Sequence, residues 1–248
     1  MLTVSSQSLQ RRRGERPLLR LVSAPAPQPS RLSSHQLIAR QSRHSRAIKR
    51  TGDIVFSLAV LSLGSPLFLL LALLVKLTSR GPVFYVQQRV GRGYRSFGCI
   101  KFRTMRPDAD RQLARLLATS PDLESEFLTD FKLRNDPRIT RLGKLLRRSS
   151  LDELPQFLNV LRGEMSVVGP RPIVRKEISR YGAHMDEVLA VRPGLTGLWQ
   201  VSGRNNLSYA KRVQLDCLYA RHRNGWMDLR ILVHTLGVVL DPRDRGAY

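Results

Sequence analysis

Two adjacent carboxylates that follow a pair of arginines, in the segment RRSSLDE at 147–153, are the chain's clearest candidates for chemistry. The same segment has a structural interpretation. Ser150 and Glu153 match a capping box, in which the two side chains satisfy free amides at the start of a helix. Asp152 would then only complement the helix dipole. Taken alone, the segment favours this structural interpretation.

The surroundings of the pair also permit phosphoryl chemistry. Free amides at a helix N-terminus suit phosphate binding, and with Arg147 they are expected to keep Asp152 ionised and able to attack phosphorus. Glu153 could bind Mg²⁺ or accept a proton from an incoming phosphate. Neighbouring acids among arginines are typical of phosphoryl-type transfer, because metal and guanidinium groups neutralise a diphosphate and let a carboxylate approach it.

Further cations could converge on these acids from other parts of the chain. Lys101 and Arg103 alternate along a predicted strand, so both are expected on one side of the sheet. Arg171 lies between two prolines that restrict its backbone, and Arg204 follows Gly203 in a glycine-rich loop. Each one alone is most simply a solvated surface charge. Their places in rigid loops, where functional residues concentrate, favour a role in binding.

The elements that must position these residues can be predicted from periodicity and turn residues. We expect strands at 83–88 and 96–102 joined by a turn, a surface helix over about 107–131, and a short basic amphipathic helix at 141–148. Because proline is tolerated only in the first turn of a helix, Pro155 predicts a helix that begins near 150–152. The segments 169–172 and 193–204 are expected to be rigid loops, the second offering Trp199 and Gln200 to a planar ligand.

An apolar segment at 54–75 carries no charge and has the length of a membrane-spanning helix. Gly64, Ser65 and Pro66 interrupt it at the centre, and each half is too short to span. Basic residues flank both ends, so both ends favour the same side of a membrane. Ser65 could hydrogen-bond a carbonyl that the bend leaves free. Composition alone leaves a spanning helix and a re-entrant hairpin equally open.

Charge and cysteine content limit the class of protein. The chain of 248 residues carries 42 Lys and Arg against 19 Asp and Glu, a net charge of +23, which implies an anionic partner. The two cysteines argue against a disulfide framework. The region 1–46 is rich in Arg, Ser and Pro, and is predicted to be a disordered basic tail. Its composition resembles a transit peptide, but the apolar segment that follows favours an arm lying on anionic lipids.

Read in order, the motifs resemble the monotopic bacterial phosphoglycosyl transferases, and in particular those that initiate exopolysaccharide synthesis on undecaprenyl phosphate with galactose or glucose. The resemblance covers about residues 47–248. It is carried by KRTGD at 49–53, the apolar segment broken at Ser65-Pro66, KFRTM at 101–105, DPRIT at 136–140, SLDELPQ at 150–156, LRGEMSVVGPRP at 161–172 and RPGLTGLWQVSGRN at 192–205.

The resemblance implies a mostly helical α+β monotopic membrane protein with a re-entrant membrane helix at 47–78, a small β-hairpin and surface amphipathic helices. A catalytic domain at 79–248 would face the cytoplasm at the bacterial inner membrane, with a homodimer as one possible assembly. The implied reaction moves a sugar-1-phosphate from a UDP-sugar to undecaprenyl phosphate and releases UMP. By the resemblance Asp152 is the nucleophile, Glu153 helps to bind Mg²⁺ or activates the acceptor, and Arg147 contacts phosphate.

Two alternatives come from other classes of protein. The net charge would suit a nucleic-acid-binding protein, but no recognised nucleic-acid module is present and aromatic residues make up only 6%. Such a protein should be extracted by salt, whereas the apolar segment predicts that detergent is needed. A non-catalytic membrane scaffold would retain its phenotype after Asp152→Asn. No motif distinguishes galactose from glucose, which differ in the orientation of one hydroxyl.

Overall fold

The computed structural model describes residues 43–130, 133 and 135–240. Most of the predicted basic tail, residues 1–42, therefore lies outside the described residues. The predicted boundary at residue 46 falls inside a helix that has begun by Arg43. The apolar segment is thus preceded by at least two turns of helix that carry basic side chains.

The described residues form a mostly helical α+β fold, as the sequence predicted. Its α-helices are α1 (Arg43–Leu63), α2 (Ser65–Thr78), α3 (Ala109–Thr119), α4 (Pro121–Asp130), α5 (Arg141–Arg148), α6 (Gln156–Arg162), α7 (Ile178–Tyr181), α8 (Met185–Val188), α9 (Leu198–Ser202), α10 (Tyr209–His222) and α11 (Gly225–Leu240). Its strands are β1 (Phe84–Val90), β2 (Ser96–Phe102), β3 (Ser166–Val168) and β4 (Gly194–Thr196). Strands β1 and β2 form the predicted antiparallel hairpin, and β3 pairs with β4 in parallel.

Two predicted elements are subdivided. The helix expected over 107–131 is two helices, because Ser120 adopts an extended conformation before Pro121 starts α4. The segment 193–204, predicted as a loop, contains strand β4 and helix α9. Its strand pairs with β3, which periodicity could not reveal because each strand has only three residues.

The core lies between the hairpin and the C-terminal helices. Strand β2 buries alternate side chains, including Phe97 and Cys99, against Leu198, Trp199 and Tyr219. A smaller apolar cluster, in which Leu71 and Val75 of α2 meet Phe102 and Leu146, fixes α2 to the same domain. Lys101 is only partly buried, at the end of the hairpin near this second cluster. The two clusters therefore hold the hairpin, and Lys101 with it, in a fixed position.

The apolar segment is bent, as its central proline predicted. Within the described residues no single helix has the length and apolar composition needed to cross a bilayer. Helices α1 and α2 reach that requirement only as a pair, with a bend of 64° between them. The Ser65 hydroxyl donates to the Ser62 carbonyl over 2.9 Å. Because Pro66 has no N–H to offer that carbonyl, Ser65 satisfies an acceptor that the bend leaves free.

The pair α1–α2 keeps a broad apolar surface outside the core. Its exposed large apolar side chains are Ile48, Val55, Phe56, Leu58, Leu63, Leu67, Leu69, Leu70, Leu73 and Leu77. Polar contacts fix the other side of α1, since Asp53 accepts hydrogen bonds from Ser166 Oγ at 2.8 Å and from the Val167 amide at 3.2 Å. One side of the pair is thus attached to the domain, while the other presents an apolar face.

Candidate active site

A narrow pocket opens between the hairpin and the turn that carries the two carboxylates. Four residues singled out in the sequence line it together: Lys101, Glu153, Arg171 and Gln200. The other lining residues are Arg89, Cys99, Gln156, Pro172, Gly194 and Leu195. Three cations and one carboxylate therefore surround a narrow polar pocket, a setting suited to an anionic group.

The carboxylates lie on a short 3₁₀ turn, Leu151–Glu153, and not on the first turn of an α-helix. Ser150 precedes the turn in the left-handed region, with φ of 58°, and its side chain makes no capping hydrogen bond. The capping-box interpretation of the sequence is therefore wrong. Helix α6 begins only at Gln156, after Pro155. A non-glycine residue in this conformation is strained, and such strain is found at functional sites.

Glu153 is fixed by an ion pair with Lys101. The Lys101 Nζ lies 2.6 Å from Glu153 Oε1, and both side chains are partly buried. Burial raises the pKa of Glu153, but the charges of Lys101 and Arg171 outweigh it, and the pKa falls to about 2. Glu153 is consequently a carboxylate throughout the neutral range.

The pKa of Asp152 is shifted in the opposite direction from that of Glu153. It is 7% exposed, and burial together with the adjacent Glu153 carboxylate raises its pKa to about 6. Lys101 and Arg147 lower the pKa only in part. This direction differs from the expectation that Arg147 and free amides dominate, because the turn is buried more deeply than a surface helix start. Asp152 is still mostly ionised at pH 7, although more basic than its neighbour.

Two candidate arginines are fixed beside the carboxylates by different contacts. Arg147 is partly buried, which lowers its pKa, and its Nε donates to Thr104 Oγ1 over 2.9 Å. The Arg171 guanidinium lies 5.9 Å from the centre of the Trp199 ring, a cation–π contact. Trp199 is only 5% exposed and belongs to the core. The prediction that Trp199 is available to a planar ligand is therefore wrong. The buried Trp199 ring instead packs against the Arg171 guanidinium.

The remaining candidates occupy different places. Gln200 donates from Nε2 to the Leu195 carbonyl at 3.0 Å, and its buried Oε1 has no partner in the described part of the chain. Arg103 and Arg204 do not line the pocket. Arg103 bonds to Ser79 after the end of α2, and Arg204 starts a separate 3₁₀ turn with φ of 50°. The structure thus brings Gln200 into the pocket that Glu153 lines and places these two arginines outside it.

Arg89 is a pocket residue that the sequence analysis missed. Its guanidinium donates to the Pro172 carbonyl over 2.9 Å and to Gln87 Oε1, and burial followed by the charge of Arg171 lowers its pKa. The predicted strand ended at residue 88, which assigned Arg89 to a turn. In the observed register Arg89 lies opposite Phe97, on the same face as Lys101, so a strand two residues longer would have revealed it.

A second group with metal-ligand side chains lies outside the pocket. His184, Glu187 and Cys217 have ligand atoms within 4.8 Å of one another. Glu187, however, accepts two hydrogen bonds from Arg221, and burial raises the pKa of the Cys217 thiol. Arg221 engages both carboxylate oxygens of Glu187, so this group is poorly suited to a cation.

Comparison with known proteins finds relatives of this chain over most of its length. A family model described as bacterial sugar transferase matches residues 44–242. The chain is 50% identical over 207 residues to the undecaprenyl-phosphate galactose phosphotransferase of Salmonella typhimurium, covering 83% of this chain and 43% of that protein. It is 48% identical over 204 residues to the UDP-galactose-lipid carrier transferase of Erwinia amylovora, covering 82% and 42%.

A third relative is closer in length. The exopolysaccharide production protein ExoY of Rhizobium meliloti is 48% identical over 200 residues, which cover 81% of this chain and 88% of ExoY. The chain spans less than half the length of the Salmonella and Erwinia relatives. Because the family model matches most of the chain, from the bent helix pair through the carboxylate turn to α11, the chain belongs to the bacterial sugar transferase family.

Proposed function

We propose that this protein transfers a sugar-1-phosphate, galactose or glucose phosphate, from a UDP-sugar to undecaprenyl phosphate and releases UMP, as the first membrane step of exopolysaccharide synthesis. The observation that carries the proposal is the carboxylate turn beside a pocket that contains Arg89, Lys101 and Arg171. With Glu153, these three cations give the pocket a net charge of about +2, which matches the two negative charges of a nucleotide-sugar diphosphate. The names of the relatives supply the donor and the lipid acceptor.

In the first step, an oxygen of the Asp152 carboxylate attacks the phosphorus that bears the sugar. A bond forms between that oxygen and phosphorus, the bond from phosphorus to the bridging oxygen breaks, and UMP leaves with the electron pair. The raised pKa of Asp152 makes its carboxylate a better nucleophile than an ordinary aspartate. Lys101 and Arg171 would neutralise the charge that develops on the departing phosphate.

In the second step, an oxygen of the acceptor phosphate attacks the same phosphorus. The aspartyl oxygen–phosphorus bond breaks, which frees Asp152 and leaves the sugar on the lipid as a diphosphate. The low pKa of Glu153 makes it a weak proton acceptor near pH 7. Of the two roles that the sequence left open, Mg²⁺ binding and proton acceptance, we therefore assign the first to Glu153.

Mg²⁺ fits the carboxylate pair in donor chemistry. Asp152 and Glu153 offer hard carboxylate oxygens on one turn, and Lys101 engages only Oε1 of Glu153. We propose that these two residues hold the ion, while Glu153 also keeps its ion pair with Lys101. The ion would supply charge neutralisation for the diphosphate. The residues of the chain supply the nucleophile and the cationic pocket.

For the membrane, we propose that α1–α2 enters the cytoplasmic leaflet of the bacterial inner membrane and returns to the same side. The bend of 64°, the exposed apolar face and the basic residues at both ends support this arrangement. Anionic lipids would attract the basic flanks. The catalytic domain, 79–248, would then face the cytoplasm, where UDP-sugars are present.

The reaction is tested with purified protein in detergent, undecaprenyl phosphate, Mg²⁺ and a panel of UDP-sugars, scored by UMP release. We expect one or both of UDP-galactose and UDP-glucose to support turnover above the others. Absence of UMP release with every UDP-sugar, from protein with a normal melting transition, would exclude the proposed reaction.

The ionisation of Asp152 predicts the pH dependence of that reaction. The nucleophile must be deprotonated, and its pKa in the free protein is about 6. We therefore expect kcat/KM for the UDP-sugar to fall about tenfold per pH unit well below pH 6 and to level off above it. The measurement is a pH profile at constant ionic strength. A flat profile between pH 5 and 8 would contradict the assignment.

The bend predicts the effect of removing the proline. In Pro66→Leu the added N–H can bond the Ser62 carbonyl, which straightens the helix towards a spanning form. We expect single cysteines placed at Arg43 and Arg80 to be protected from periplasmic reagents in the parent protein. In the proline variant one of the two sites should become reactive. Leu67→Ala, next to the bend, is the matched control and should leave both sites protected.

A further inference from the structure

Arg103 is a buried cation whose hydrogen bonds are incomplete. The residue is 7% exposed, and Nη2 donates to the Ser79 carbonyl at 2.7 Å and to Ser79 Oγ at 2.8 Å. Its Nε and Nη1 are buried and have no hydrogen-bond partner in the part of the chain that the structure describes. An unpaired buried guanidinium is unfavourable, so this arrangement calls for an anionic ligand.

The place of Arg103 in the fold shows where such a ligand would come from. Ser79 directly follows α2, the second helix of the apolar pair. Lys76, in the last turn of α2, donates to the Gly81 carbonyl at 3.4 Å, so two cations flank the same loop. Next to them Leu77, 72% exposed, continues the apolar face. The loop therefore lies where the chain would leave the apolar layer for the lipid phosphates.

Gly81 has no side chain, and the Arg103 guanidinium occupies the space that a side chain would fill. Its φ is +119°, and a Cβ at this position would lie 2.4 Å from Nη1 of Arg103. Any side chain here would be strained and would displace the guanidinium. The backbone of the loop thus packs closely against the Arg103 guanidinium.

Arg103 is also connected to the catalytic turn. It lies two residues beyond Lys101, about 7 Å along an extended chain. The next residue, Thr104, accepts the hydrogen bond from Arg147, whose charge acts on Asp152. A phosphate bound by Arg103 would therefore be near the carboxylate turn, on the side of α2 and outside the pocket lined by Arg171.

We propose that Arg103, with Lys76 beside it, binds a lipid phosphate at the membrane surface, and that this phosphate is the one that accepts the sugar phosphate. The inference rests on the proposed function, because it divides the cations between two substrates. Arg89, Lys101 and Arg171 serve the donor diphosphate, and Arg103 serves the lipid.

The test compares Arg103→Gln and Arg103→Lys with Arg106→Gln, which removes an exposed arginine nearby. Initial rates are measured against a short-chain polyprenyl phosphate and, separately, against the UDP-sugar. We expect Arg103→Gln to raise the KM for the polyprenyl phosphate about tenfold or more, with Arg103→Lys intermediate. The KM for the UDP-sugar should change less than about twofold. An unchanged KM for the polyprenyl phosphate, or an equal rise in both KM values, would overturn the proposal.

A second measurement identifies the lipid without relying on turnover. Flotation with vesicles of phosphatidylglycerol and phosphatidylcholine, or of phosphatidylcholine alone, measures binding to anionic head groups. If Arg103→Gln weakens binding to the phosphatidylglycerol vesicles more than Arg106→Gln does, the head group is also a ligand. If only the KM changes, the acceptor is the ligand. If neither changes, Arg103 binds no lipid phosphate. If the wild-type protein releases no UMP, the proposed reaction is refuted. The flotation measurement would still test whether Arg103 binds a lipid phosphate.

Discussion

Replacement of Asp152 by Asn is expected to abolish turnover while leaving the protein folded. The amide has no anionic oxygen with which to attack phosphorus, so we expect UMP release to fall at least about a thousandfold. The measurement is UMP release under saturating UDP-sugar and polyprenyl phosphate. Arg148→Gln, which removes an exposed charge from the adjacent turn, is the matched control and should retain near-normal activity.

The same substitution should raise stability, which separates loss of the nucleophile from misfolding. The pKa of Asp152 is raised from 3.8 to about 6 in the folded protein, so the folded state favours the protonated form. Stability is therefore lost as the pH rises through this window, and at pH 7 the ionised group costs on the order of 1–3 kcal/mol. Asn removes that cost, and we expect a melting temperature higher by a few degrees at pH 7. An inactive variant with a lower melting temperature would not support a catalytic role.

Replacement of Lys101 by Met is expected to have the second largest effect. It removes the partner of Glu153 and one of the three pocket cations. We expect kcat/KM for the UDP-sugar to fall about a hundredfold, as when one donor to a developing charge is removed. Lys144→Met, at an exposed position of α5, is the matched control.

The pH profile of Lys101→Met tests its electrostatic role. Lys101 lowers the pKa of both Asp152 and Glu153, so its removal should move the acid limb to higher pH than in the parent protein. A fall in activity with an unmoved acid limb would show that Lys101 acts on the substrate alone. That result would contradict the coupling between Lys101 and the two carboxylates.

Elements whose sequence signals lie within a few neighbouring residues were predicted correctly. Alternation and turn residues predicted the hairpin, and Pro66 predicted the bend. The hydroxyl of Ser65 was expected to satisfy a freed carbonyl, and it does so at Ser62. The division of the helix at Ser120 was missed because charged periodicity continues across it.

Features of the site that depend on tertiary contacts could not be predicted in the same way. Ser150 and Glu153 satisfied the pattern of a capping box, yet the chain forms a 3₁₀ turn buried by packing against the cluster around Phe102. Trp199 was expected to meet a ligand because it lies in a glycine-rich segment. It belongs to the core, since it lies on α9 and packs in one cluster with residues of β2, α10 and α11. Burial also reversed the expected direction of the pKa shift of Asp152.

The central claim is that Asp152 carries the sugar phosphate covalently between donor and acceptor. It is tested most directly by incubating the purified protein with a UDP-sugar that turns over and Mg²⁺, without any polyprenyl phosphate, and measuring the intact mass and the UMP released. We expect a near-stoichiometric burst of UMP and a mass increase of one hexosyl phosphate, on the peptide that contains Asp152. UMP that appears only after acceptor is added, with no change in protein mass, would rule out the covalent intermediate and indicate direct transfer.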